Sequence, residues 1–210
     1  MDVARADKYE SFAQLDRHEV HGRDFRVRII PRPQSPVVVI APHGGGIEIG
    51  TSELAFRIAR ARHSLFLFEG LKPAWENRCL HITSHRFDHP ECISLVSRSL
   101  VTLTVHGCKG DSQIFIGGLD EDLKMRLAER FRAAGFPACT EGHRYPGRNP
   151  MNICNRGLLG RGAQLELTRD LRTPAARKAL APLVRDALTE HVSKISRALR
   201  ACRSTPPFTA

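Results

Sequence analysis

No stretch of this 210-residue chain approaches the roughly 20 consecutive apolar residues that a membrane-crossing helix needs. The first residues alternate charged and polar side chains instead of opening on an apolar core, so no secretory leader is read and synthesis in the cytoplasm is expected. The six cysteines, at 79, 92, 108, 139, 154 and 202, contain no Cys-x-x-Cys pair. That spacing argues against a zinc ribbon or a dithiol redox centre, and the thiols are expected as mostly small buried apolar groups in a reduced chain. No Gly-x-Ser-x-Gly elbow occurs, which removes serine-esterase chemistry, and neither dinucleotide nor P-loop glycine patterns are present. A Ser/Gly/Pro-rich linker and an internal repeat are also missing, so residues 1–203 are expected as one domain with 204–210 as a flexible tail.

Lysine is scarce and arginine plentiful: only six of the 32 basic residues are Lys, and the formal net charge is +10. A field of that sign favours polyanionic partners. Arginine in particular grips carboxylates and phosphates through a bidentate fork. Dispersed basic residues, 6% aromatics and no reader motif weigh against nucleic acid, although a basic replication protein remains the alternative from another functional class.

The stretch that organises the chain is Pro42-His43-Gly44-Gly45-Gly46-Ile47-Glu48-Ile49-Gly50-Thr51-Ser52-Glu53. It follows a β-branched apolar run at 37–40 that suits a buried strand, and it precedes helical periodicity for which Ser52 is the expected cap. Glycines between an imidazole and a carboxylate allow the loop to fold back so that both reach one ion. A tight turn in which His43 holds a backbone carbonyl is the plainer reading of the same loop. A second strand signal, 100–105, also ends in His-Gly, at His106-Gly107, and side chains at strand carboxyl ends converge on a crevice in α/β folds.

Elsewhere the pattern predicts strands over 25–30, 64–68, 81–84, 114–116, 137–140 and 164–168, and helices over 90–97, 121–134 and from 173 onwards. Alternation in the 164–168 strand places Glu166 inside the protein if the strand is central, and in water if it is an edge. The long polar loop from 143 to 150 reads as a binding element. His81 and His89 are read as structural.

With His43, Glu48, His106, the Asn-Ile-x-Asn-Arg segment at 152–156 and Gln-Leu-Glu-Leu at 164–167 in view, the chain resembles the phage-encoded poly-γ-glutamate hydrolase family, a compact relative of the zinc carboxypeptidases. The resemblance implies a single α/β domain with a mixed central sheet flanked by helices. It also implies one zinc ion held by His43, Glu48 and His106, with Glu166 as general base. Three protein ligands would leave a position for water beside that base, a set suited to hydrolysing a γ-glutamyl amide. Carboxypeptidases generally space the first two ligands as His-x-x-Glu, so Glu53 is the substitute if Glu48 faces away. For the substrate carboxylates the expected contacts are Arg156, with Asn155 and Asn152 beside it, then Arg86 and His85. His143 and Arg144 are expected on a loop over the groove. The implied biology is degradation of an anionic capsule polymer by a monomer released at host lysis, with an amidase acting on peptidoglycan peptides or another small amide as the neighbouring alternative.

Overall fold

The computed structural model describes residues 7–203; the expected tail at 204–210 lies outside them. Seven strands form one sheet: β1 (Phe25–Ile30), β2 (Val37–Gly45), β3 (Ser64–Gly70), β4 (Val101–Gly107), β5 (Ile114–Gly118), β6 (Ala138–Cys139) and β7 (Ala163–Leu167). Their order across the sheet is β1-β3-β2-β4-β7-β5-β6. The four central strands run parallel, β1 pairs antiparallel with β3, and β5 pairs antiparallel with β7, which makes the sheet mixed.

Period-two burial divides the side chains between two cores. Val37, Val39 and Ala41 of β2 join Leu103 and Val105 of β4 in one of them, beneath α2 (Thr51–Ala59), α4 (Glu121–Ala133) and α5 (Pro174–Arg203). Val38 and Ile40 face the other way, onto Phe12 of α1 (Phe12–Asp16) and Cys92 and Val96 of α3 (Pro90–Val96). The parallel strands are apolar on both faces because helices cover both.

Two local expectations differ from the structure. Residues 81–84 form no strand; they follow a 3₁₀ helix, Ala74–Leu80, and the backbone from His81 to Thr83 carries no regular structure. Ser52 does not cap α2, whose N-cap is Gly50 at φ 98°. The Ser52 hydroxyl instead accepts the Gly45 N–H at 3.1 Å and ties the glycine loop down.

Asp120 does cap α4, accepting the Leu123 N–H at 3.0 Å, and it also meets His191 Nε2 of α5 at 2.9 Å and Arg161 at 3.3 Å. Burial opposes its charge, but His191 and the Leu123 N–H hold its carboxyl below the ordinary value. Asp120→Ala is therefore expected to cost about 2–4 kcal/mol in urea unfolding, adding a lost cap to a buried His191 Nε2 left without its acceptor while Nδ1 keeps Asp122. Because the folded carboxyl is depressed, that stabilisation is present above the unfolded value of about 4 and fades as pH falls below it. The gap between variant and wild type narrows accordingly in acid.

Candidate metal centre

The β2 strand reaches the centre through a break in its pairing. Its register with β3 shifts between Ala41 and Gly44. Strict alternation would put His43 on the face of Val37, Val39 and Ala41; the irregularity turns it to the opposite face. There its ring meets those of His81, at 4.0 Å between centroids, and His106, at 4.9 Å. Close approach at Gly44 permits this loop: a Cβ there would lie 2.1 Å from Ser52 Oγ and 2.9 Å from the Phe68 carbonyl.

His106 arrives without irregularity. In β4, Thr102, Thr104 and His106 alternate with the apolar Val101, Leu103 and Val105, so the imidazole ends the polar row. Glu166 is its register partner on the neighbouring parallel strand and shares its face. Since β7 lies between β4 and β5, the carboxylate is interior, 9% exposed, and the edge-strand reading falls away.

Ligand atoms of His43, Glu48 and His106 all lie within 4.8 Å of one another. His43 Nε2 is 2.8 Å from the Ile82 carbonyl, which fixes that nitrogen as the N–H and leaves Nδ1 as the inward lone pair. This satisfies both readings of the glycine loop, since the imidazole that holds a carbonyl is also the one presented to Glu48. Its Nδ1 is 3.2 Å from Glu48 Oε1 and 3.1 Å from His106 Nδ1. The second oxygen of Glu48 accepts the Gly107 N–H at 2.8 Å, so the carboxylate is oriented by the end of β4.

Electrostatics agree with a cation site. Burial and the neighbouring His43 charge push His106 down to about 3, so it stays neutral with a lone pair to give. Burial resists charge on Glu48, but His43 and His106 together hold it down at about 2, so it stays anionic. Burial likewise opposes a proton on His43, and the Glu48 carboxylate more than offsets this, raising its affinity for positive charge. Once the proton on His43 gives way to a metal ion, two imidazoles and a carboxylate are a donor set that suits zinc.

Glu166 is the counterpart. Burial, and then the negative charge of Glu48, push its proton affinity well up, with Arg172 pulling the other way. Arg172 was not legible as part of the site. Its guanidinium holds the Ile49 carbonyl at 2.7 Å and packs over Gly107, where a Cβ would come within 2.4 Å of it, so it clamps the Glu48 loop to the end of β4. His81, read as structural, instead lines the cleft, with Nδ1 2.6 Å from an Asp7 carboxylate that also accepts the Thr83 N–H. Tyr145 is pushed up to about 12, chiefly by burial, and stays a hydroxyl donor beside Cys108 and Glu166.

The cleft in front of these groups has a volume of about 600 Å³. Of the expected substrate contacts, His85 and Asn152 line it, Asn152 through a 2.8 Å bond to Gln164. Three do not. Arg156 lies off the cleft with its guanidinium 3.5 Å from the Phe87 carbonyl, and Arg86 is outside the lining. Asn155 is buried, donating to the Gly147 and Asn149 carbonyls and accepting the Leu119 N–H. It shapes the 143–150 loop from behind and offers nothing to a ligand. The cations at the cleft are Arg78, Lys109, Arg144 and Arg148, two of them from that loop. His143 packs on Phe115 and stays out of the lining, whereas Arg144 is in it. Glu53, the substitute ligand, pairs with Arg177 on the other side of α2's first turn and plays no part in the triad.

Fold and site together define an α/β protein with a His/Glu/His candidate metal centre at the carboxyl ends of its parallel strands. The chain belongs to the poly-gamma-glutamate hydrolase family, whose sequence profile matches residues 9–180. It is 38% identical to UPF0714 protein YndL of Bacillus subtilis (strain 168) over 79% of its own length, and spans just under two thirds, 66%, of YndL. A structure of a bacteriophage poly-gamma-glutamate hydrolase superposes with a TM-score of 0.84 at 28% identity, covering 90% of this chain and 99% of that one. The zinc-free structure of YndL superposes with a TM-score of 0.79 at 31% identity over 88% of this chain and 98% of that one. The N-formylglutamate amidohydrolase of Ralstonia eutropha JMP134, 12% identical, shares the fold at a TM-score of 0.58 over 84% of this chain and 99% of that one.

Proposed function

We propose that this protein is a zinc-dependent amidohydrolase that cleaves the γ-glutamyl amide bonds of poly-γ-glutamate, a capsule depolymerase of the phage type. The observation that carries the reading is the juxtaposition of the His43, Glu48 and His106 triad with Glu166, whose proton affinity is raised, in a cleft edged by four cationic side chains. Zinc bound by the triad supplies Lewis acidity to water and to the amide oxygen.

The protein's own groups do the rest. Glu166 takes a proton from water at its carboxylate and passes it to the leaving amine, a role suited to a base whose proton affinity burial and the Glu48 charge raise above that of an exposed glutamate. Every repeat of the polymer carries a free carboxylate, and Arg78, Lys109, Arg144 and Arg148 are the groups that hold these in register. Tyr145, protonated at working pH, is the hydroxyl donor available to the departing fragment. Burial of both histidine ligands keeps bulk water from competing for their lone pairs.

Size-exclusion chromatography of poly-γ-glutamate after incubation tests this. Shortened chains are expected with the untreated protein, none after chelation, and shortened chains again after zinc is restored. Cleavage that survives complete metal removal, or muropeptides turned over while the polymer stays intact, would remove the reading.

A further inference from the structure

On the face opposite the second core, the edge strand β1 presents Arg26 and Arg28. The basic side of that strand, α2 and α5 enclose a groove of about 660 Å³ that shares no lining residue with the cleft. Six cationic side chains from three segments converge on it: Arg26 and Arg28 of β1, Arg57 of α2 with Arg60 at its C-cap, and Lys178 and Arg185 of α5. Two carboxylates stand among them, and both are engaged. Glu69 binds Arg26 at 2.7 Å with Arg28 at 3.9 Å, and Glu53 binds Arg177 at 3.3 Å. Arg57, Arg60 and Lys178 are exposed and have no carboxylate within ion-pair distance among the described residues. Arg185 bonds to the Arg57 carbonyl at 2.7 Å; burial and then the charge of Arg60 lower its proton affinity, with Asp186 acting the other way. Arg28 lies over the ring of Phe56 at 5.7 Å, which fixes its guanidinium at the rim.

We propose that this groove is an exosite for a polycarboxylate chain: it holds a stretch of the same anionic polymer away from the cleft in which another stretch is cut. The proposal rests on the reading of the cleft given above. Cations concentrated in a concave, partly desolvated site raise the local concentration of an anionic chain, and two sites on one polymer make the second contact intramolecular. Carboxylates spaced along a flexible backbone suit six cations spread over three segments; a compact anion would engage only a few of them. A short oligomer that fills the cleft alone gains nothing from the groove.

The test is the triple variant Arg57→Glu, Arg60→Glu, Lys178→Glu, which touches only exposed side chains outside the cleft, with thermal unfolding as the control for folding. Its KM for long poly-γ-glutamate at low salt is expected to rise about tenfold or more while kcat and KM for a short γ-glutamyl oligomer stay unchanged. In parallel, fluorescence anisotropy follows labelled long poly-γ-glutamate binding to the Glu166→Gln protein with and without the triple substitution. Binding weakened at least tenfold by the substitution supports the exosite even if no cleavage is seen, which separates the groove from the cleft's chemistry. Equal effects on long and short substrates, or none on either, would overturn it. Groove-dependent binding of labelled single-stranded DNA tighter than that of the polycarboxylate at matched charge would overturn the choice of ligand.

Discussion

Glu166→Gln is expected to lower kcat on poly-γ-glutamate by about 10²–10⁴-fold, the range a positioned proton-transfer group contributes. The substitution keeps the shape of a side chain that is only 9% exposed and interior to the sheet, so the backbone has no reason to move. It removes the one property that matters, the capacity to accept and return a proton. Zinc content should be unchanged, because Glu166 is outside the ligand set. The folded protein should be no less stable near neutrality: burial and the charge of Glu48 disfavour the ionised form of Glu166, and a neutral amide is relieved of both. Elemental analysis, thermal unfolding and initial rates on one preparation distinguish the cases. A variant with wild-type rates would remove Glu166 from the chemistry, and one that loses its zinc would make it a ligand.

Much of this arrangement is legible in the residues themselves. The β-branched run opening β2 and the helical stripe of α5 are visible as periodicities, and the His-Gly endings of β2 and β4 mark the two places where the sheet delivers an imidazole. The alternation of Thr102, Thr104 and His106 with apolar residues even indicates which face the site occupies. Substrate contacts were less legible, for a physical reason. Which arginine of the 143–156 region faces the cleft depends on loop hydrogen bonds, and Asn155, by holding the Gly147 and Asn149 carbonyls, turns Arg144 and Arg148 toward it while Arg156 falls behind near Phe87. No local spacing encodes that choice. Arg172 and Asp7 are likewise distant in sequence from the Ile49 carbonyl and the His81 ring they hold, and only the folded chain brings them in. The thiols divide as their surroundings dictate: Cys92, Cys108 and Cys154 are buried, Cys79 and Cys139 half-buried and Cys202 exposed, all six free.

Glu48→Gln is expected to weaken zinc binding at least about 100-fold, beyond what loss of an outer hydrogen bond to a ligand costs. The carboxylate contributes in three separable ways. It is the single negative charge of the ligand set, and without it a divalent cation meets two neutral imidazoles in a buried site. Its Oε2 accepts the Gly107 N–H at 2.8 Å and so fixes the end of β4 that carries His106. Its Oε1 faces His43 Nδ1 at 3.2 Å, raising the attraction of that imidazole for positive charge. Glutamine keeps an acceptor for Gly107 and therefore isolates the charge from the geometry. Proton and metal compete for His43, so zinc affinity of the wild-type protein should rise with pH until that proton is gone. In the variant the proton loses its partner, His43 stays neutral to lower pH, and the pH dependence of binding should flatten while the affinity falls. Competition titration against a chromogenic chelator from pH 5.5 to about 8 measures both quantities. Weakened binding with the full wild-type pH dependence would mean that Glu48 acts through β4 alone; wild-type affinity would shift the centre to other ligands and leave the His43, Glu48 and His106 cluster as a buried ion pair.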